Sequence, residues 1–189
     1  MRSGLKLKCV FDVECYRLRD PETGDRYRDP QGRFLPRQLA WVEHAANIVT
    51  NQGLNATLDI MFHGATQIAT WYCCMSESDT AAAAGMTYAV PVYTELEAYD
   101  ELTRPAYNEA AASGQSMTNS ANKAQYTIND TKTLYGASLV GGGTDGDTKG
   151  DAAGGGTLFS YAKFGASRDV VASDVVNQTY TLSAADDGV

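Results

Sequence analysis

Asn47-Ile48-Val49-Thr50-Asn51-Gln52-Gly53-Leu54-Asn55-Ala56-Thr57-Leu58-Asp59-Ile60-Met61-Phe62-His63-Gly64-Ala65-Thr66-Gln67-Ile68-Ala69-Thr70-Trp71-Tyr72-Cys73-Cys74 is the stretch on which the fold turns. Thr50 or Asn51 offers a short side-chain oxygen to an N–H that the first helical turn leaves unpaired. Leu54, Leu58, Met61 and Phe62 then recur at i, i+4, i+7 and i+8, one apolar stripe. Gly64 follows as a residue able to take the left-handed conformation past the last turn. The pattern predicts a helix over about residues 51–63 with its stripe packed on the core. Ile48-Val49 reads as the end of a preceding strand, and Gln67–Met75, with Ile68, Trp71 and Tyr72, as a following one.

Around this helix the chain is β-like. In residues 5–16, Leu5, Leu7, Cys9, Phe11, Val13 and Cys15 alternate with Lys6, Lys8, Asp12 and Glu14; Val10 alone breaks the pattern. A period of two is the mark of a half-buried strand. Leu39–Thr50 has helical propensity in part, but is read as an extended segment ending in Ile48-Val49 and paired with the first strand. Short β-like runs recur at Tyr93–Tyr99, Ser116–Ser120, Ala124–Ile128, Thr133–Val140, Thr157–Phe164 and Asp174–Leu182. Residues 76–90 read as a loop, and the glycine-rich run Gly141–Gly156 as a flexible, solvent-facing tip. Short strands joined by turns, without βα alternation, predict a mainly β fold. The expectation is a β-sandwich or jelly-roll-like antiparallel core with one short packed α-helix.

Between residues 17 and 37 lies a polar, arginine-rich loop with a near-repeat, Arg19-Asp20-Pro21-Glu22-Thr23-Gly24 and Arg28-Asp29-Pro30-Gln31-Gly32. Asp-Pro followed by Gly marks a turn each time, because Pro presets φ and Gly accepts positive φ. Residues 1–46 are accordingly read as an N-terminal strand with an arm, and 47–189 as the sandwich domain.

Charge divides the chain unevenly. Residues 1–50 carry 9 Lys/Arg against 7 Asp/Glu, and residues 51–189 carry 6 against 16, within a net charge of −8. An acidic body does not suit a bare nucleic acid, whose phosphates need a basic face. No apolar run approaches the roughly 18–20 residues of a membrane span, and the charged N-terminus carries no signal-peptide pattern. Neighbouring Cys73 and Cys74 are poorly placed for an ordinary disulfide. Cys9 and Cys15 would sit about 20 Å apart along one strand, so no disulfide framework is expected.

Candidate chemistry is sparse. His44 and His63 are the only histidines, too few for a zinc site of the usual spacing; His63 suits the negative end of the helix dipole. Glu95 and Glu97 would share one face of a strand, a spacing that a carbohydrate hydrolase could use. They are read instead as surface carboxylates on an edge strand. Asp145, Asp147 and Asp151 superficially resemble a calcium loop, but Lys149 stands among them and no terminal Glu follows. No Gly-x-Ser-x-Gly elbow and no phosphate-binding loop occurs. The interleaved Arg and Tyr of the arm match the residues that dominate protein–protein contacts. Tyr27, Arg28, Phe34 and Trp41 are the candidate interface anchors.

One resemblance extends these readings. Asn47-Ile48-Val49-Thr50-Asn51-Gln52-Gly53-Leu54-Asn55, Leu58-Asp59, Phe62, Gly64 and Thr70-Trp71-Tyr72 resemble small virion structural proteins of tailed double-stranded DNA bacteriophages. The likeness continues through Ala98-Tyr99-Asp100-Glu101, Thr103-Arg104-Pro105, Asn119-Ser120-Ala121, Tyr135-Gly136-Ala137 and Asp174–Leu182. It implies a non-enzymatic capsid cement (decoration) protein on the virion exterior, made in the host bacterial cytoplasm. Its implied partner is the phage major capsid protein, with self-association as a dimer or trimer, and with neither nucleic acid, membrane nor cofactor. The alternative is a tail- or fibre-associated β-sandwich module for host-surface binding or tail assembly.

Overall fold

The computed structural model of the chain describes residues 5–186. Among the described residues nine strands and one helix follow in the order β1 (Leu5–Arg17), β2 (Gln38–Ala46), β3 (Ile48–Val49), α1 (Asn51–Phe62), β4 (Trp71–Ser76), β5 (Ser116–Thr118), β6 (Ala124–Thr127), β7 (Lys132–Gly141), β8 (Thr157–Val170) and β9 (Val175–Asp186). One antiparallel sheet has the order β2-β1-β9-β5, with β6 also paired to β9; the second has the order β3-β8-β7-β4. The two pack face to face as a β-sandwich.

The alternation of β1 places Cys9, Phe11, Val13 and Cys15 in the core. They meet Cys73 and Met75 of β4, Leu139 of β7, Phe159 and Phe164 of β8, and Val176 and Tyr180 of β9. β1 is a central strand, bonded to β2 on one side and along residues 5–16 to β9 on the other. The arginine-rich loop is the connection between β1 and β2, residues 18–37.

Leu39–Thr50 is extended, as read, but divides between the sheets. β2 pairs β1, whereas Ile48 and Val49 pair Tyr161 and Ser160 of β8 instead of β1. Asn47 is the crossing point, where its amide donates to the Tyr180 hydroxyl at 3.3 Å. Side chains close this edge further. Glu43 accepts from Gly165 N at 2.8 Å and from Arg168 Nη2 at 2.6 Å.

β4 explains the Cys-Cys-Met sequence. Its residues 73–76 are buried on both faces. Cys73 and Met75 enter the main core, while Cys74 enters a second, smaller cluster with Met86, Tyr88, Tyr93, Val140, Leu158 and Tyr161. All four cysteines are free and buried. The segment covering that outer face, predicted as a strand at Tyr93–Tyr99, makes only isolated bridges, Ser76 with Glu95 and Tyr99 with Ile128. With Leu96 N on Met75 O and Cys73 N on Pro105 O, irregular backbone seals the edge of β4. A sealed edge offers no row of free N–H and C=O groups to a foreign strand.

Helix α1 forms where the sequence places it. Thr50 is the N-cap, its Oγ1 accepting from Gly53 N at 3.0 Å. Gly64 takes φ +73° just past the end. Its packing, however, is the reverse of the expectation. Gly53 is its one buried residue, and Leu54, Leu58, Met61 and Phe62 stand 41%, 56%, 64% and 78% exposed. The reason is close approach. A Cβ on Gly53 would lie 2.4 Å from the Phe159 carbonyl oxygen, so the helix backbone rests directly on β8. That contact turns the small side of α1 inward and the large apolar side out.

Candidate functional site

A buried polar cluster gathers on Arg104, in the loop after Leu96. Its guanidinium grips Glu95 in a two-point fork, Nε to Oε1 at 2.8 Å and Nη2 to Oε2 at 2.6 Å. Nη1 donates to the Tyr88 hydroxyl and the Gly146 carbonyl, both at 2.9 Å. Nη2 also donates to the Asp151 carbonyl at 2.9 Å. These bonds engage all five guanidinium N–H groups. The Arg104 and Glu95 side chains are only 2% and 8% exposed. Burial pulls the Arg104 pKa down, but the Glu95 hydrogen bonds and charge outweigh it, and the net direction is upward.

Tyr88 extends the cluster. It receives from Arg104 and donates to Asp151 Oδ2 at 2.7 Å. Burial, then the Asp151 hydrogen bond, pushes its hydroxyl up to about 12. Gln52 of α1 joins the helix to the same group: Oε1 accepts from Tyr88 N and Leu158 N, and Nε2 donates to Gly156 O. A cleft of about 310 Å³ opens beside Arg104, lined by Tyr88, Tyr93, Glu95, Glu97 and Asp151 among others.

This arrangement corrects two readings of the sequence. Glu95 is no surface carboxylate, since both its oxygens are held by Arg104. It therefore does not pair with the exposed Glu97 as a free acid and base. Gly141–Gly156 is not a free tip either. Gly146 and Asp151 are tied to Arg104, and Lys149 Nζ donates to Tyr99 O at 2.7 Å and lies 3.7 Å from the Tyr99 ring centroid. Its glycines serve contact between its two legs: a Cβ on Gly143, at φ +76°, would lie 2.3 Å from Gly154 O. Asp151 accepts from its own loop at Ala153 N and Gly154 N instead of joining Asp145 and Asp147. Among the described residues no group of three or more His, Cys, Asp or Glu side chains is placed to hold a metal ion. No described helix is long and apolar enough to cross a membrane.

Sequence reasoning passed over Arg104, Tyr88 and Gln52 as working residues. A signal was there for the first. Arg104 is the only Lys or Arg between Arg37 and Lys123, and a lone cation in a long acidic stretch is a candidate for a buried pair.

Asp151 gives the cluster an acid limit. The Tyr88 hydroxyl, followed by the loop N–H groups, holds its carboxyl below the usual range. A pKa lower in the folded than in the unfolded state, where it is about 3.9, stabilises above that value and is lost as pH falls through the folded one. Amide protection in 141–156, measured against the intrinsic exchange rate at each pH, is expected to fall selectively on acidification from about pH 6 to about pH 3. Asp151→Asn should show faster exchange at the higher pH and a smaller change between the two.

The predicted anchors fall into two places. Arg17 and Arg37 pin both ends of the arm to one turn: Arg17 Nη2 meets the buried Asp174 carboxylate at 2.7 Å, and Arg37 reaches Ser173 O at 3.4 Å. Both Asp-Pro turns form as read, with Gly24 N on Asp20 O, Gly32 N on Asp29 O, and both glycines at positive φ. Phe34 bridges Arg28 across the arm, and the half-buried Tyr27 bonds through its backbone to Leu18 and Leu35. Trp41 lies apart on β2, half-buried, its indole N–H donating to Asp169 O at 3.0 Å. Arm anchors Tyr27, Arg28 and Phe34 are thus brought together, and Trp41 is not.

Comparison with family models and with curated proteins finds no match to this chain.

Proposed function

We propose that this chain is a non-enzymatic structural protein of a tailed double-stranded DNA bacteriophage virion, a cement subunit on the major capsid protein shell. The observation that carries the reading is the outward stripe of α1. Leu54, Leu58, Met61 and Phe62 form one exposed apolar row on the helix, whereas the other exposed large apolar side chains, among them Phe34, Leu39, Val92 and Leu102, lie on separate strands and loops. An amphipathic helix with its apolar face to solvent suits a groove on a partner. The buried polar cluster supports the same reading from the other side, because Arg104 and Glu95 are engaged with each other and with the loop. Many weak contacts repeated over a shell would hold such a subunit by multivalency.

The test is co-sedimentation with phage shells. Leu58→Glu with Met61→Glu is expected to leave the melting temperature within a few degrees of wild type, since both side chains are already in water. It should abolish shell association. Retained association at normal affinity would remove α1 from the contact. Gold labelling of whole virions decides location: label confined to tails would replace the cement reading with the tail-associated one.

A further inference from the structure

Phe34 is 54% exposed near the tip of the arm, and two guanidiniums stack on it. The Arg28 Cζ lies 3.9 Å and the Arg26 Cζ 4.5 Å from the ring centroid. Two like charges held this close repel each other, and the ring face repays only part of that cost. No ion pair reaches either arginine among the described residues. Arg28 uses one N–H on Gly32 O at 2.7 Å, and Arg26 Nε is buried without a partner.

Two nearby acids, Asp20 and Asp29, are turned elsewhere, and Glu22 and Asp25 form no ion pair with either arginine among the described residues. Asp20 accepts from Glu22 N and Thr23 N within its own turn. Asp29 accepts from Gln31 N and Arg33 N and pairs with Arg33 Nε at 2.6 Å. The arm is also ordered by backbone bonds, Tyr27 N to Leu18 O and Leu35 N to Tyr27 O. Two forks therefore stand in place, charged and unneutralised, around an exposed aromatic ring.

We propose that the Arg26–Phe34–Arg28 stack is a receptor for carboxylates on the surface of a partner protein, with the Phe34 ring lying against apolar side chains beside them. The inference rests on the reading of this chain as a docking protein and names the chemistry of the surface that its arm meets. Guanidinium forks match carboxylates with two parallel hydrogen bonds, and stacking fixes them before binding, so less side-chain freedom is lost. A nucleic acid fits less well. A polyanion must be tracked over many phosphates, and here the arm interleaves Asp20, Glu22, Asp25 and Asp29 on a chain of net charge −8. A local carboxylate group on a protein needs only the two guanidinium forks and not an extended basic face.

The probe is a fluorescein-labelled peptide of alternating Glu and Leu, compared by fluorescence anisotropy with its Gln-for-Glu counterpart and with a single-stranded oligonucleotide. The full chain is expected to bind the Glu peptide at least about ten-fold more tightly than the Gln peptide, because charge-assisted forks are lost in the second. That preference should shrink between about 50 and about 500 mM NaCl, as screening demands. Arg26→Gln with Arg28→Gln should lose about ten-fold or more, and Phe34→Leu, which keeps both charges and removes their platform, about three-fold or more. Equal binding of the two peptides, unchanged binding by both variants, or tighter binding of the oligonucleotide overturns the proposal. The shell assay keeps the two readings separate. If the α1 variant loses shells while the arm variants keep them and the peptide preference is absent, the carboxylate receptor falls and the cement reading stands.

Discussion

Arg104→Ala will lower the free energy of unfolding by about 3–5 kcal/mol, because it leaves the Glu95 carboxylate buried with no counter-charge. The same change strips Gly146 O, Asp151 O and the Tyr88 hydroxyl of their donor. The loss will be visible as a lower midpoint in urea. Faster hydrogen exchange throughout 141–156 should accompany it, since Arg104 holds two carbonyls of that loop and the Tyr88 hydroxyl that bonds Asp151. Arg104→Lys is expected to recover little, as three donors on a flexible stem cannot reproduce a five-donor planar fork. The informative control is the double variant Arg104→Ala/Glu95→Ala. Removing both charges eliminates the desolvated anion, so it should be less destabilised than the sum of the single changes. Additive losses would mean that the pair is not coupled, and the assignment of Arg104 as the latch of this loop would be withdrawn.

Gly53→Val will cost about 1–3 kcal/mol or more and displace α1 from β8, an overpacking effect. Intrinsic preference argues the opposite sign, since replacing a helical glycine usually gains up to about 1 kcal/mol. The steric term wins because of what the new atom meets. A Cβ would lie 2.4 Å from Phe159 O and 2.9 Å from Phe159 Cα, both backbone atoms of a strand bonded to β7. A strand backbone cannot rotate away as a side chain can. The helix must lift instead, straining the Thr50 cap and the Gln52 hydrogen bonds to Tyr88, Leu158 and Gly156. Thermal melts and exchange rates across 50–63 will report both effects. An unchanged melting temperature would show that α1 shifts freely on the sheet, and would undercut the explanation given for its outward stripe.

These two positions mark the limit of what sequence patterns convey. The helix boundaries were legible, because caps and the terminal glycine act on local backbone. Its orientation was not: Leu54, Leu58, Met61 and Phe62 make an apolar stripe whichever way they point. Glu95 and Arg104 are nine residues apart, and each separately reads as a surface charge. Only the loop that folds them together removes both from water. The glycines of 141–156 are equally ambiguous, since the absence of a Cβ permits both freedom and close contact.

From the sequence alone came the two-residue period of β1, the paired Asp-Pro turns with their glycines, the capped helix and the mainly β sandwich. Each follows from interactions among residues near one another in the chain, where side-chain alternation and allowed φ values are already decisive. The tertiary structure alone decided the crossing of the chain between sheets at Asn47, the two-sided burial of Cys73 and Cys74, the Arg104 latch and the exposed face of α1. Those depend on which distant groups touch, and the touch that orients α1 is a glycine against a strand carbonyl, an interaction with no side chain to announce it.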